Sequence, residues 1–278
     1  MKLDVTNIRF LEKDDWRVLT AIEQGMKNHA LVPVELIASI AALRHGGTHK
    51  FLSTLLKFKL VAHDRSSGYD GYKLTYAGYD YLALRTMLNR GHITGVANQI
   101  GVGKESDIFL VTNAEGENLV LKLHRLGRVS FKAIRAKRDY LQHRKGGSWL
   151  YMSRLAALKE FSFMKALHSA GFPTPTPIDC NRHCVLMNHI QGFPLHRIGK
   201  ITHPDKVYRQ MMTIVERLAR AGLIHCDFNE FNAIVDEDEQ LTMIDFPQMV
   251  STSHPNAEWY FDRDVNCIRA FFKRKHHY

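Results

Sequence analysis

The chain has 278 residues and a mass of 32.0 kDa, with 38 Lys and Arg against 28 Asp and Glu, for a formal charge of +10. Its 45% hydrophobic content supports a real core, which excludes wholesale disorder, and its length suits two domains. No apolar run reaches the roughly 18–20 residues of a membrane span, the start MKLDVTNIRF is not a secretory signal, and four cysteines do not make a disulfide framework.

An intracellular, reducing compartment is therefore expected. The charge is uneven along the chain. Residues 122–145 carry a net +8, residues 227–267 a net −9 and residues 268–278 a net +4. Blocks of this kind need a counter-ion, a ligand or solvent, so an anionic partner is expected.

The first ninety residues read as helices and a hairpin. Asp14 and Asp15 precede the apolar series Trp16, Val18, Leu19 and Ile22, and Pro33 opens a helix over Pro33–Leu43. Gly46 and Gly47 are read as a break, with Thr48 as N-cap of a third helix that carries Phe51, Leu52, Leu55 and Leu56. Leu60–Arg65 and Tyr72–Thr75 form a hairpin around the turn at 66–71, and a helix follows over Tyr79–Leu88. Three helices and a two-stranded wing give the winged-helix order, in which the third helix and wing are placed to touch nucleic acid.

From Ile93 the pattern changes to strands. Gly101 and Gly103, in the run Gly101-Val102-Gly103-Lys104-Glu105-Ser106, lie between two apolar segments and would let backbone N–H groups approach phosphate oxygens. The chain has no Walker loop and no GxGxxG opening a helix. Val120-Leu121-Lys122-Leu123 is a short apolar strand with one lysine, a costly placement unless it meets an anion. It is similar to the kinase strand lysine, and Glu160 on a helix over Ala156–Leu167 is expected as its partner. The intervening segment 124–149 is read as a flexible, exposed basic insertion able to bind phosphate backbones.

Pro173, Pro175 and Pro177 lead into a strand over Cys184–His189, and a helix over Tyr208–Ala221 ends at Gly222. His225-Cys226-Asp227 with Asn232 spells HxDxxxxN, which is similar to the kinase catalytic loop. There an Asp meets the acceptor hydroxyl or water, and the Asn holds Mg²⁺ between phosphates. Asp245, at the end of the strand Leu241–Ile244, delivers a second metal-binding carboxylate, with Pro247 where kinases carry glycine. A closing helix is expected over Trp259–Phe272.

The order of these motifs resembles the RIO family of atypical serine/threonine protein kinases. LIHCDFNEFN, IDFPQM and GVGKESD, together with a preceding winged helix, look like its type-two members, and the likeness covers nearly the whole chain. It implies an α+β fold: a winged-helix domain over 1–90, then a reduced two-lobed kinase-like domain over 91–278, with an N-lobe over 91–187 and a C-lobe over 191–278. It also implies ATP and Mg²⁺ as cofactors, Asp227 as proton acceptor, Asn232 and Asp245 as metal ligands and Lys122, paired with Glu160, on phosphate. Gly101, Val102, Gly103, Lys104, Glu105 and Ser106 would cover the nucleotide, and Met187, His189 and Ile190 would belong to the adenine hinge. With little chain between Asp245 and the closing helix, an ATPase cycle through a phosphorylated Asp245 stands beside peptide phosphorylation. The resemblance further implies a monomer acting on the pre-ribosomal small subunit, cytoplasmic with passage through the nucleus, and a chain shorter than members usually are. The alternative is a nucleotide-binding adaptor for pre-ribosomal RNA or protein with little phosphotransfer.

Overall fold

The computed structural model describes residues 3, 5–43, 45–65, 70–128 and 149–278. The first unit follows the expected order: α1 (Lys13–Gly25), α2 (Val34–Ala41), α3 (His45–Lys57), a hairpin of β1 (Val61–Asp64) and β2 (Gly71–Leu74), then α4 (Tyr76–Asn89). Trp16, Leu19 and Ile22 of α1 meet Ile37, Leu52, Leu55 and the hairpin in one buried cluster. One expectation fails: α3 begins at His45 and runs through Gly46 and Gly47, with Thr48 buried inside it rather than capping it. Glycine costs a helix about 1 kcal/mol, and the burial of Leu52 and Leu55 on the same helix outweighs that in a first turn.

The second unit opens with a five-stranded antiparallel sheet in the order β3 (Gly95–Val102), β4 (Ser106–Thr112), β5 (Asn118–His124), β7 (Cys184–Asn188), β6 (Pro177–Asn181). Strand periodicity decides what each face sees. Leu119, Leu121 and Leu123 of β5, with Cys184 and Leu186 of β7, pack against Ala83, Leu84 and Met87 of α4. The alternate residues of β7, Val185 and Met187, join Ala157 and Met164 of α5 (Trp149–Ser169) and the larger C-terminal core. Lys122 stands opposite Val185 and Val120 opposite Met187, on that same second face. The sheet is thus covered on both sides, with the helical unit as one of its covers.

The basic insertion needs correction at its near end. His124, Arg125 and Leu126 are buried, not exposed, because Arg125 meets Asp80 and Asp107, while residues 129–148 lie outside the described residues.

Beyond β7 come β8 (Phe193–Pro194), α6 (Pro204–Arg220), β9 (Leu223–Ile224), β10 (Ala233–Val235), β11 (Leu241–Met243), β12 (Val250–Ser251) and α7 (Ala257–His276). Helix α6 buries Val207, Met211, Ile214, Val215 and Leu218, the one-sided stripe of an amphipathic helix. Strand β9 pairs with β12, and β10 pairs with β11 and β8, so short ribbons frame the loop that holds Asp227.

Gly78, in the first turn of α4, shows how tightly that helix seats. A Cβ there would meet the Leu60 carbonyl oxygen at 2.1 Å, while its N–H donates to Thr75 Oγ1 at 3.1 Å. Gly78→Ala should destabilise the protein by more than about 2 kcal/mol despite alanine's better helix propensity. Urea unfolding checks it, and an unchanged or raised midpoint would count against this packing.

Candidate active site

Lys122 is the centre of the site. Only 7% exposed, it donates from Nζ to Glu160 Oε1 and to Asp245 Oδ1, each at 2.6 Å. Strand β5 supplies the lysine, α5 the glutamate, and the segment after β11 the aspartate, so one ammonium joins both lobes. Burial by itself would discharge the lysine, but the two carboxylates override it and hold its pKa above the ordinary value. Burial likewise pushes the Asp245 carboxyl up, yet the charge and hydrogen bond of Lys122 win and bring it down to about 2. Asp245 is therefore ionised at neutral pH. Glu160, 1% exposed, is also held below its usual range by Lys122 against the effect of burial.

His124, two residues along the same face of β5, places Nε2 2.7 Å from Glu160 Oε2. It stands beside the second oxygen of the carboxylate that orients the lysine. Sequence reading passed over it, although the period-two alternation with Lys122 carried the signal.

The loop after β9 is shaped by its own backbone. Cys226 adopts φ +68° and Asp245 φ +69°, left-handed conformations that non-glycine residues hold only when their surroundings impose them. Asn232 Nδ2 donates to the Asp227 backbone oxygen at 2.8 Å and to Asp227 Oδ2 at 3.2 Å, while Asn229 Nδ2 donates to Oδ1 at 3.0 Å. The Asn232 amide nitrogen is thus committed to Asp227, which leaves its carbonyl oxygen as the atom able to meet a cation. Burial lowers the His225 pKa to about 4, so the ring is neutral and its Nε2 bonds the Ile244 carbonyl at 3.2 Å. That contact ties the Asp227 loop to the segment after β11 that carries Asp245.

Asp264, on α7, was not singled out as functional from sequence. It accepts from Cys226 N at 2.9 Å and from Phe228 N at 3.1 Å, clamping the backbone on both sides of Asp227. The signal was a carboxylate on the apolar stripe of α7, four, seven and eight residues before Ile268, Phe271 and Phe272.

The remaining predicted residues lie on other strands of the sheet that holds Lys122 and in the loops that join or follow them. Gly101 and Val102 end β3, Ser106 opens β4, and Gly103 N donates to Ser106 O at 2.7 Å across the turn that holds Lys104 and Glu105. Ser106 stands opposite His124, which puts the loop exit beside the Lys122 face. Met187 is buried at the end of β7, and His189 and Ile190 follow in the link to the second lobe, half-buried. Among the described residues no group of three or more His, Cys, Asp or Glu forms a closed metal cage. The oxygen donors of Asn232 and Asp245 suit Mg²⁺, which binds through few protein ligands and takes the rest from waters and phosphates.

The RIO domain family matches residues 107–278, and the Rio2 N-terminal family matches residues 8–90. The serine/threonine-protein kinase rio2 of Dictyostelium discoideum is 62% identical over 275 residues, covering 99% of this chain and 52% of that protein. Its counterpart in Schizosaccharomyces pombe is 52% identical over 278 residues, covering 100% of this chain and 81% of that one. This chain thus spans about half the length of the first relative and most of the second. The crystal structure of the Chaetomium thermophilum Rio2 kinase–ADP/Mg²⁺–phosphoaspartate complex superposes with a TM-score of 0.89 at 49% identity, covering 100% of this chain and 85% of that one.

The Asp264 clamp predicts a pH dependence. Burial raises the Asp264 pKa from 3.8 to about 7, against the opposing pull of its two backbone donors. A carboxyl whose folded pKa is raised contributes stability that is full below its unfolded pKa and lost as pH climbs through the folded one. Unfolding free energy of the wild type should therefore fall, relative to Asp264→Asn, between about pH 4 and pH 7. Denaturant titrations at intervals across that range measure the gap; parallel profiles would remove the assignment.

Proposed function

Since this chain belongs to the RIO family and carries the Rio2 N-terminal domain, we propose that it is an Mg-ATP-dependent atypical serine/threonine kinase with ATPase activity. The observation that carries this reading is Lys122 held between Glu160 and Asp245 at 2.6 Å each, a cation aimed into the cleft between lobes. In this reading Lys122 takes nucleotide phosphate oxygens in place of part of its contact with Asp245. Residues Gly101–Ser106 cover the phosphates with backbone N–H groups, and Met187, His189 and Ile190 line the adenine. Asn232 and Asp245 hold Mg²⁺, which neutralises phosphate charge when bound. Asp227, oriented by Asn229 and Asn232, accepts the proton of the attacking hydroxyl or water.

Residues 246–256 are all that separates Asp245 from α7, and they provide little surface for a peptide. This favours a cycle in which the γ-phosphoryl group passes to an Asp245 oxygen, the bond to the β-phosphate oxygen breaks and ADP leaves. Water then cleaves the acyl phosphate to return the carboxylate and inorganic phosphate. The relative solved with ADP, Mg²⁺ and a phosphoaspartate supports that chemistry for the family. The +10 charge, with exposed Lys50 and Lys57 on α3, supports a pre-ribosomal small-subunit particle as the anionic partner of a cytoplasmic, monomeric protein that passes through the nucleus.

Asp227→Ala should lower ATP turnover by about a hundredfold or more while leaving Mg-ADP affinity within a few-fold. Turnover near the wild-type rate would refute the proton-acceptor role. Protein labelled from γ-labelled ATP should lose its label to hydroxylamine; label that resists excludes an acyl phosphate.

A further inference from the structure

A second buried cation lies three residues after Lys122. Arg125 is 1% exposed and sits where the helical unit, the sheet and the glycine loop converge. Its Nη1 and Nη2 donate to Asp80 Oδ1 and Oδ2 of α4 at 2.5 and 2.7 Å, and its Nε donates to Asp107 Oδ2 of β4 at 3.2 Å. Its backbone N–H donates to the Glu105 carbonyl at 2.6 Å, inside the glycine loop. Tyr76 of α4 lies under the guanidinium, and buried His183 meets Asp80 Oδ1 at 2.8 Å.

We propose that Arg125 is a positioning residue that fixes the exit of the Gly101–Ser106 loop to the N-terminal helical unit, so that nucleotide affinity depends on that unit. The inference rests on the nucleotide reading given above. Among the described residues strand β3, which leads into the loop, is an edge strand paired only with β4, and Ile100 and Val102 on it stand 43% and 71% exposed. The entry side of the loop is thus weakly held, and its geometry is set from the exit side. There Arg125 grips residues 105 and 107, the two neighbours of Ser106. A loop that cradles phosphates through backbone N–H groups is sensitive to displacements of about 1 Å. The planar fork of arginine can serve Asp80 and Asp107 together, where a lysine would serve one. Whatever docks on the helical unit and shifts α4 would, by the reciprocity of linked sites, change nucleotide binding.

The test separates positioning from simple adhesion between the units. Glu23 of α1 and Arg182 of the β6–β7 turn form another ion pair across the same junction, with two contacts of 2.7 Å, but do not touch the loop. Mg-ADP binding by calorimetry, ATP turnover and urea unfolding would be measured on the full chain for Asp80→Asn, Asp107→Asn and Glu23→Gln. Asp80→Asn and Asp107→Asn should weaken Mg-ADP by about fivefold or more, with kcat at saturating ATP within about twofold. Glu23→Gln should lower stability with Mg-ADP affinity within about twofold of wild type. Should Asp80→Asn fail to fold, Asp107→Asn, which leaves the contact with α4 intact, decides. Unchanged affinity in Asp107→Asn, or an equal loss in Glu23→Gln, overturns the proposal. If the wild type itself binds no Mg-ADP, it is the nucleotide reading that fails.

Discussion

A buried ammonium bridging two carboxylates from opposite lobes is the contact on which this molecule turns. Removing three charges from water costs several kcal/mol for each, as an order of magnitude, and close pairing recovers that only with good geometry. Lys122 has that geometry: two 2.6 Å contacts, one to each lobe, with His124 on the far oxygen of Glu160. Such an arrangement is a poor way to gain stability compared with an apolar core. It is a good way to keep a cation oriented in a cleft where anions are to be received. The alternation of β5, leucines toward α4 and Val120, Lys122 and His124 toward the cleft, is what makes the placement possible.

The same economy governs the Asp227 loop. Its backbone is bent through a left-handed Cys226; Asp264 of α7 and the Ile244 carbonyl hold it from outside, through Cys226 and His225, and Asn232 ties it from within. The strain is local and the restraints are distributed over α7, the segment after β11 and the loop itself. The geometry of this loop is produced by several modest hydrogen bonds acting on one short segment, not by any single strong one.

Much of the site was legible because its signals are local. A lysine inside an apolar strand, a glutamate on the buried side of a helix and HxDxxxxN spacing each state their chemistry within a few residues. What sequence did not reveal depends on distance. Arg125 read as one more charge in a basic insertion, since its partner Asp80 lies 45 residues away on a helix assigned to another unit. Asp264 was visible as an acid but not as a clamp, because the donors it meets are 36 and 38 residues upstream. The glycine pair at 46–47 misled for the opposite reason: a strong local signal was overridden by the burial of Leu52 and Leu55 further along α3.

Pro247 has a consequence for how such a site can be regulated. Proline locks its own φ and disfavours helical backbone in the residue before it, here Phe246, which is fully buried. A glycine here would leave both backbone angles free, whereas Pro247 narrows the courses this segment can take. The aromatic plug is a fixed part of the spine of the second lobe, and silencing the site by swinging it out would mean unmaking core. A movement that widens or narrows the cleft therefore disturbs less of the core when it occurs between the lobes than when it occurs within this segment.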